Sequence, residues 1–407
     1  MTAAVLCTGT ELTRGELVST NGAFLAEALT TLGFEVGAVD TVDDDIGRIE
    51  SALRRLGAEH EVLVCTGGLG PTTDDLTSAC VARVLGVGLV RDPESLEHIR
   101  VRLARFGREM AASNAKQADF PEGAAVLPNP NGTAPGFSVT LGRAAAFFLP
   151  GVPLEMQAMF EASVAPKIRP LVVGVTHQTL LHTFGLPESS VNDKLAGIEA
   201  AHGVIIGYRA RLPEIEVKVL ARAANAEEAR SRSERAAAEV RSRLGPDVVY
   251  GEGQTSLAEV VCRLLEAKQA TLATAESCTG GLVAEIVTNV PGASRSFLGG
   301  VVAYANAVKT KLVGVDPALL ERHGAVSEEV ARAMAEGVRR RFGASYGLGV
   351  TGIAGPDGGT PDKPVGLVHW AVASDSETSS KHAVFSGSRE QIRKRSAWAV
   401  LALLRRS

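Results

Sequence analysis

Across residues 1–90, short apolar runs alternate with stretches whose apolar positions recur at helical spacing. Ala3–Thr8 reads as a strand, and Asn21–Leu32 places Phe24, Leu25, Ala28 and Leu32 on one helical face. Gly33 is the stop signal, and Phe34–Val39 follows as a strand. Asp45–Leu56 is amphipathic again through Ile46, Ile49, Leu53 and Leu56. Glu61–Thr66 is an apolar strand running into Gly67-Gly68-Leu69-Gly70-Pro71, with a helix expected to open near Asp74. This β-α-β-α-β-loop-α order predicts a parallel-rich sheet with right-handed crossovers. The loops Gly9–Gly15 and Gly67–Asp75 then fall at its carboxyl edge, where open α/β sheets bind ligands.

Residues 109–136 lose regular periodicity, and Pro128–Gly136 reads as a loop. Ala144–Leu149 is a strand, and a helix from Leu154 closes this first domain near residue 170. The second domain, residues 176–251, reads as a small α+β unit. It has a strand at Gln178–Phe184, a helix at Glu188–Ala200, strands at Val204–Tyr208 and Glu214–Ala221, and a long helix at Ala226–Leu244. The third domain, residues 253–407, is α/β. Helices are expected at Leu257–Ala267, Ser327–Arg341 and Arg389–Leu404, and strands at Thr271–Thr274, Leu298–Ala303, Gly347–Val350, Gly366–Ala373 and Lys381–Phe385.

Composition narrows the partners. The 407 residues carry a net charge of -4 and only 4% aromatic side chains. Neither direct nucleic-acid binding nor an anionic membrane is expected as a partner. Five cysteines, Cys7, Cys65, Cys80, Cys262 and Cys278, are scattered without a metal-type spacing, which fits a reducing compartment. No leader-like N-terminus and no apolar run of bilayer length is seen, so a cytoplasmic protein is expected.

The candidate chemistry lies at strand ends. In the third domain a strand delivers Glu276-Ser277 into a Gly-containing turn that opens a helix, where backbone N–H groups can hold an anion. A serine there needs a base. His323 precedes a helix, and His369 and His382 fall inside strands, which leaves Lys309, after Tyr304-Ala-Asn306, as the alternative. A lysine can serve if burial lowers its pKa. The competing reading is that Ser277 is a helix cap and Lys309 a solvated surface residue. Val350–Gly359 is a second Gly-rich loop, suited to a phosphate or ribose or simply to a tight connection.

Glu276-Ser-Cys-Thr-Gly-Gly281, Tyr304-x-Asn-x-x-Lys309, Gly324-Ala-Val-Ser327, Thr351–Gly359 and Lys363-Pro-Val-Gly366 occur in that order. Together they resemble the nicotinamide mononucleotide deamidase domain at the C-terminus of the CinA family. The resemblance implies Ser277 as nucleophile and Lys309 as base, supported by Tyr304 and Thr351. It implies an arginine for the substrate phosphate, Arg389 first and Arg393 as the alternative. Further substrate contacts are expected at Thr279, Gly280, Asn306, Gly352 and Gly355, with no cofactor.

In the first domain, Gly67–Thr77 combines a Gly-rich turn with paired carboxylates, so Asp74 and Asp75 are candidate ligands of a divalent cation. They would otherwise complement a helix dipole. The pattern resembles the molybdopterin-binding, MoaB/MogA-like fold. Gly9-Thr-Glu-Leu12, Thr20-Asn21, Asn129-x-x-Gly-Thr-Ala-Pro-Gly136 and Pro150–Met156 resemble the version that opens CinA proteins. That version implies a metal-dependent (Mg, Mn or Co) ADP-ribose pyrophosphatase. Its substrate contacts are expected at Glu11, Asn21, Gly67, Gly68, Gly70, Thr72, Asn129, Gly132 and Thr133. Ser19 departs from the Asp or Asn usual before Thr-Asn. The middle unit resembles the family's KH-type domain but lacks a GxxG loop, which argues against RNA binding.

The expected function is thus a bifunctional nucleotide hydrolase of pyridine nucleotide recycling, a homodimer by resemblance. It would deamidate nicotinamide mononucleotide and cleave ADP-ribose to AMP and ribose 5-phosphate. A molybdopterin-related activity of the first domain and a non-catalytic competence or DNA-damage scaffold are the alternatives.

Overall fold

The computed structural model describes residues 1–172 and 174–407. They form two compact units, Met1–His177 with Arg222–Arg230, and Gln178–Ala221 with Ser231–Ser407. The first unit opens with β1 (Thr2–Thr8), the single turn α1 (Thr10–Thr13), α2 (Thr20–Leu32), β2 (Glu35–Val42), α3 (Ile46–Glu59), β3 (Val62–Thr66) and α4 (Thr77–Leu85). It continues with β4 (Leu89–Arg91), α5 (Pro93–Arg105), β5 (Asp119–Pro121), β6 (Ala125–Leu127), β7 (Gly136–Leu141), β8 (Ala144–Leu149), α6 (Pro153–Met159) and α7 (Ala165–Ile168). The main sheet has the order β2-β1-β3-β8-β7-β6. Its first four strands run parallel, and β7 and β6 are added antiparallel.

The continuous apolar strands are explained by burial on both faces. Ala4, Leu6, Leu63 and Cys65 pack with Ile49, Leu53 and Leu56 of α3. Val5, Cys7, Val62 and Val64 pack with Leu25 and Leu29 of α2 and with Met156 and Met159 of α6. Each large side chain buried this way contributes roughly 1.5–3 kcal/mol. The helix signals also hold at their ends. Ser19 and Asp45 cap α2 and α3 by accepting from Gly22 and Arg48, and Gly33 closes α2 in the left-handed region.

Two expectations for this unit need correction. The helix after the Gly-rich turn starts at Thr77, so Asp74 and Asp75 precede it. Asp75 instead closes a turn of its own, accepting from the Thr72 amide at 2.8 Å and from the Thr72 hydroxyl. Residues 109–136 are also less irregular than expected, since a 3-10 helix at Ala112–Ala118 precedes β5 and β6.

Next come β9 (Val175–Thr183), α8 (Glu188–Leu195), α9 (Ile198–His202), β10 (Val204–Arg211), β11 (Glu214–Ala223), α10 (Ala226–Leu244) and β12 (Val249–Glu252), with sheet order β10-β11-β9-β12. The single helix expected at Glu188–Ala200 is two, because Gly197 takes a left-handed conformation between them.

The C-terminal part contains α11 (Leu257–Ala267), β13 (Leu272–Glu276), α12 (Leu282–Thr288), β14 (Phe297–Val302), α13 (Asn306–Val313) and α14 (Pro317–His323). It ends with α15 (Glu328–Phe342), β15 (Tyr346–Gly352), β16 (Leu367–Ala373), β17 (Thr378–Val384) and α16 (Arg389–Arg406). Its sheet has the order β14-β13-β15-β16-β17, with β13 parallel to both neighbours and β16 antiparallel to both of its own. Buried residues of α11 and α16 share one core with Leu272, Leu348, Val350 and Trp370. Helix α15 lies so close to β15 that a Cβ on Gly347 or Gly349 would sit 2.1 Å from Ala335 O or 2.2 Å from Ala331 O. Only glycine permits that approach. No helix among the described residues is long and apolar enough to cross a membrane.

Candidate active site

Strand β13 ends on Glu276, a carboxylate that is 1% exposed. Its oxygens accept from the amides of Gly281 (3.0 Å), Val283 (3.0 Å) and Ala284 (2.9 Å). These are amides that the start of α12 would otherwise leave unpaired, and the negative charge complements the helix dipole. Gly280 and Gly281, at φ 61° and 95°, let the chain turn sharply between strand and helix. Ser277 is held on this turn, its amide donating to Val350 O at 2.9 Å.

Lys309 reaches the same point from α13. It is 1% exposed, and Nζ lies 3.1 Å from Ser277 Oγ, 2.9 Å from Ala303 O and 3.0 Å from Tyr304 O. Burial lowers its pKa. The two carbonyls use the two hydrogens of a neutral amine, and its lone pair then faces the serine hydroxyl. The proton on that hydroxyl therefore has an acceptor in place. Burial also pushes the neighbouring Cys278 thiol up to about 12. It remains protonated, and a thiol is a poor nucleophile. Around the turn, neither the Cys278 nor the Thr279 amide has a backbone acceptor among the described residues.

The other expected residues divide into groups. Arg389 Nη2 donates to Tyr304 Oη at 3.0 Å and Nη1 to Gly355 O at 2.7 Å, so the start of α16 meets both strand-end loops. Arg389 and Tyr304 remain exposed there. Arg393 is spent on the nucleophile turn, donating to Thr279 O at 2.7 and 3.2 Å, with Gly280 beside it. Thr351 is buried and donates to Ala325 O at 2.7 Å, while Asn306 is exposed at the start of α13. Gly352 abuts the backbone of Leu367 and Val368. The sequence reading missed two contributors. Glu276 organises the nucleophile turn, and Lys363 Nζ joins His323 O and Val326 O at 2.7 Å each. A lone carboxylate next to a strand-end serine was the available signal for the first, and the place of Lys363 at the head of the Lys-Pro-Val-Gly motif was the signal for the second.

At the carboxyl edge of the first sheet the glycines answer to the chain itself. A Cβ on Gly67 would meet Thr8 O at 2.3 Å, and one on Gly68 would meet Thr77 Oγ1 at 2.2 Å. Asp75 fills the same space at Gly70 and Glu155 at Gly132. Asn129 is buried and satisfied within its loop, accepting from Asn131 and Gly132 and donating to Ala134 O and Glu155. Thr133 is half-buried in the same loop. Glu11 lines a cleft that also holds Asn21. For a cation the donors are sparse. No group of three or more His, Cys, Asp or Glu converges among the described residues. One oxygen of Asp75 is engaged by Thr72, and Lys116 Nζ sits 2.7 Å from Thr72 O. Asp74 and Asp75 suit only an ion that takes most of its ligands from water and phosphate, as Mg²⁺ does.

The architecture defines a three-part α/β protein, with a parallel-rich N-terminal sheet, a small α+β unit and a C-terminal serine–lysine site. Residues 4–170 match a probable molybdopterin binding domain, residues 178–251 the damage-inducible protein CinA KH domain, and residues 254–407 the CinA C-terminal domain. The chain belongs to the CinA family. A CinA-like protein of Anaeromyxobacter sp. (strain Fw109-5) is 46% identical over 404 residues, 98% of each chain. One from Geobacter sulfurreducens is 45% identical over 409 residues, covering 100% of this chain and 99% of the relative. A crystal structure of CinA from Thermoplasma acidophilum is 35% identical and covers 40% of this chain and 94% of that one, with a TM-score of 0.37.

Proposed function

We propose that the C-terminal domain hydrolyses the carboxamide of nicotinamide mononucleotide. The carrying observation is the buried contact between Lys309 Nζ and Ser277 Oγ. Ser277 Oγ attacks the amide carbon as its proton passes to Lys309. The tetrahedral oxyanion is met by the amides of Cys278 and Thr279, a type of stabilisation worth several kcal/mol (about 2.7–4 per donor). Lys309 returns the proton to the amide nitrogen, and ammonia leaves. Water then attacks the acyl-enzyme and loses its proton to Lys309. That proton passes to Ser277 Oγ as nicotinic acid mononucleotide departs. Arg389 is the exposed cation for the substrate phosphate. Ammonia release from nicotinamide mononucleotide by the wild type, and its loss in Ser277→Ala, tests this reading.

For the N-terminal domain the proposed reaction is hydrolysis of ADP-ribose to AMP and ribose 5-phosphate. Its support is a cleft at the carboxyl edge of a parallel-rich sheet, where Thr8, Glu11, Asn21 and Thr66 stand beside Leu12, Leu17 and Val18. A divalent cation at Asp74 and Asp75 would offset phosphoryl charge. Assaying ADP-ribose with Mg, Mn and Co separately tests it. The name of the family matched by residues 4–170 keeps a molybdopterin-type ligand as the second reading. The protein is proposed to act as a homodimer, which sedimentation checks.

A further inference from the structure

Two motifs of the third domain, Gly324-Ala-Val-Ser327 and Lys363-Pro-Val-Gly366, take no part in the proton transfers at Ser277, yet they meet. Lys363 is half-buried, and its Nζ donates to His323 O and to Val326 O, each at 2.7 Å. His323 is the last residue of α14, where carbonyls lack helical partners and favour a cation. Val326 lies beyond the helix, so the ammonium gathers two carbonyls that only a bend in the chain brings together. Gly324, at φ 72°, makes that bend, and a Cβ there would stand 3.1 Å from Nζ.

The same segment is fastened again by Thr351, which donates to Ala325 O at 2.7 Å, while Ser327 Oγ closes on Gly324 O at 3.1 Å. The carbonyls of His323, Gly324, Ala325 and Val326 are thus all occupied. Thr351 and Lys363 stand at the two ends of a glycine-rich stretch that holds Gly352, Gly355, Gly358 and Gly359. Such a backbone has much freedom to lose, and residues 356–362 are exposed. One flank is tied by Arg389, the cation proposed for the substrate phosphate, at Gly355 O; the other is tied by Lys363. The nucleophile is held independently. The Ser277 amide rests on Val350 O, Arg393 grips Thr279 O, and Lys309 is bound by Ala303 O and Tyr304 O.

We propose that Lys363 is a positioning residue for substrate binding. Its charge joins the glycine-rich loop to the segment before α15 and so fixes the wall on which nicotinamide mononucleotide is held. The inference rests on the reading of the third domain as a deamidase. Without this joint each substrate molecule would have to order the loop itself, which costs affinity and leaves the attack by Ser277 intact. Arginine can also serve two carbonyls from one cation, whereas methionine keeps the bulk and glutamine the polarity without the charge.

Steady-state ammonia release by the full chain, compared with Lys363→Met, Lys363→Gln and Lys363→Arg, tests this alongside amide hydrogen exchange. The two neutral variants should raise KM for nicotinamide mononucleotide about tenfold, the worth of one hydrogen bond, and leave kcat within about twofold. Lys363→Arg should restore KM. The acid limb of the rate profile and the labelling of Ser277 by a fluorophosphonate should be the same in all three. Amides of residues 353–366 should exchange faster in the neutral variants and at the wild-type rate in Lys363→Arg. A lowered melting temperature with unchanged KM, or neutral variants that both fail to fold, would assign the lysine to stability alone and overturn the proposal. A fall in kcat at constant KM, or loss of Ser277 labelling, would overturn it by placing Lys363 in the chemistry. A wild type that releases no ammonia, with exchange faster in the neutral variants, would overturn the deamidase reading and sustain the joint. Unchanged exchange in variants of a wild type that does deamidate would overturn the joint alone.

Discussion

Replacement of Lys309 is the sharpest perturbation of the proposed mechanism. At its ordinary pKa of about 10.4 a lysine is neutral in only about one molecule in 2500 at pH 7. Each unit by which burial lowers that pKa raises the neutral fraction about tenfold. Here the cause is burial itself, and Arg389 is not among the contributing groups. Only the neutral amine can accept the Ser277 proton. The deamidation rate should therefore fall as pH drops through the lowered pKa, producing the acid limb of the profile. Loss of a general base costs about 10²–10⁴ in rate, so Lys309→Ala should lose that much kcat. Lys309→Arg keeps the charge but stays protonated, and it should be nearly as damaging. Stability gives an independent reading. With the folded pKa below the unfolded one, the unfolded chain binds more protons between the two, so stability rises with pH through that window. Below it the penalty is constant, and Lys309→Met should remove the slope. Histidine is the rival base. His369 lies beside His382 with ring centroids 5.2 Å apart and the rings tilted by 30°, and burial together with that neighbour lowers its pKa. Steady-state ammonia release across pH, for the lysine variants and for His323→Gln, His369→Gln and His382→Gln, decides the matter. An active Lys309→Arg, or a histidine variant that erases the acid limb, refutes the serine–lysine assignment.

Ser277→Ala should abolish ammonia release while Cys278→Ala keeps it, and Cys278 should resist iodoacetamide at neutral pH because its thiol stays protonated; rapid alkylation that inactivates would reverse the two roles. Chelation with EDTA should stop ADP-ribose hydrolysis and spare deamidation, and equal sensitivity of both would contradict a metal confined to the first domain. Glu276→Gln should destabilise the fold by about 1–3 kcal/mol in urea denaturation and lower kcat more than it changes KM. An unchanged kcat would mean that the turn holds Ser277 without it. Gly349→Ala forces a Cβ to within 2.2 Å of Ala331 O and should cost about 1–3 kcal/mol, against no measurable change if α15 can retreat.

Periodicity carried the architecture. The runs Ala3–Thr8 and Glu61–Thr66 and the amphipathic Leu257–Ala267 became β1, β3 and α11 because tertiary burial agreed with local pattern. Where burial is shallow the pattern said little. β12 has four residues, and α13 lines up no strong apolar face, so neither was foreseen. That Lys309 sits on a helix was likewise hidden, since α13 has only eight residues and follows directly on a strand-end loop. The meeting of Lys309 with Ser277 was legible from strand-end placement and from the family motifs, whereas the helix that carries the lysine there was not.

Glycine strings show why site chemistry is harder to read than fold. Gly67, Gly68, Gly70 and Gly132 suggest a cradle for phosphate, yet in each case the space of the missing side chain is taken by Thr8, Thr77, Asp75 or Glu155. A glycine reports only that something comes close, and in sequence the chain's own atoms and a ligand's look alike. The discriminating sign is the opposite one, a buried polar atom that the chain fails to satisfy. Asn21 Oδ1 is such an atom, while the buried and equally polar Asn129 is fully bonded by its own loop and by Glu155 of α6. Of the two asparagines expected to touch substrate, Asn129 is therefore spent on shaping its loop against α6, whereas Asn21 is held by its amide nitrogen alone, on Thr66 Oγ1 and Gly151 O.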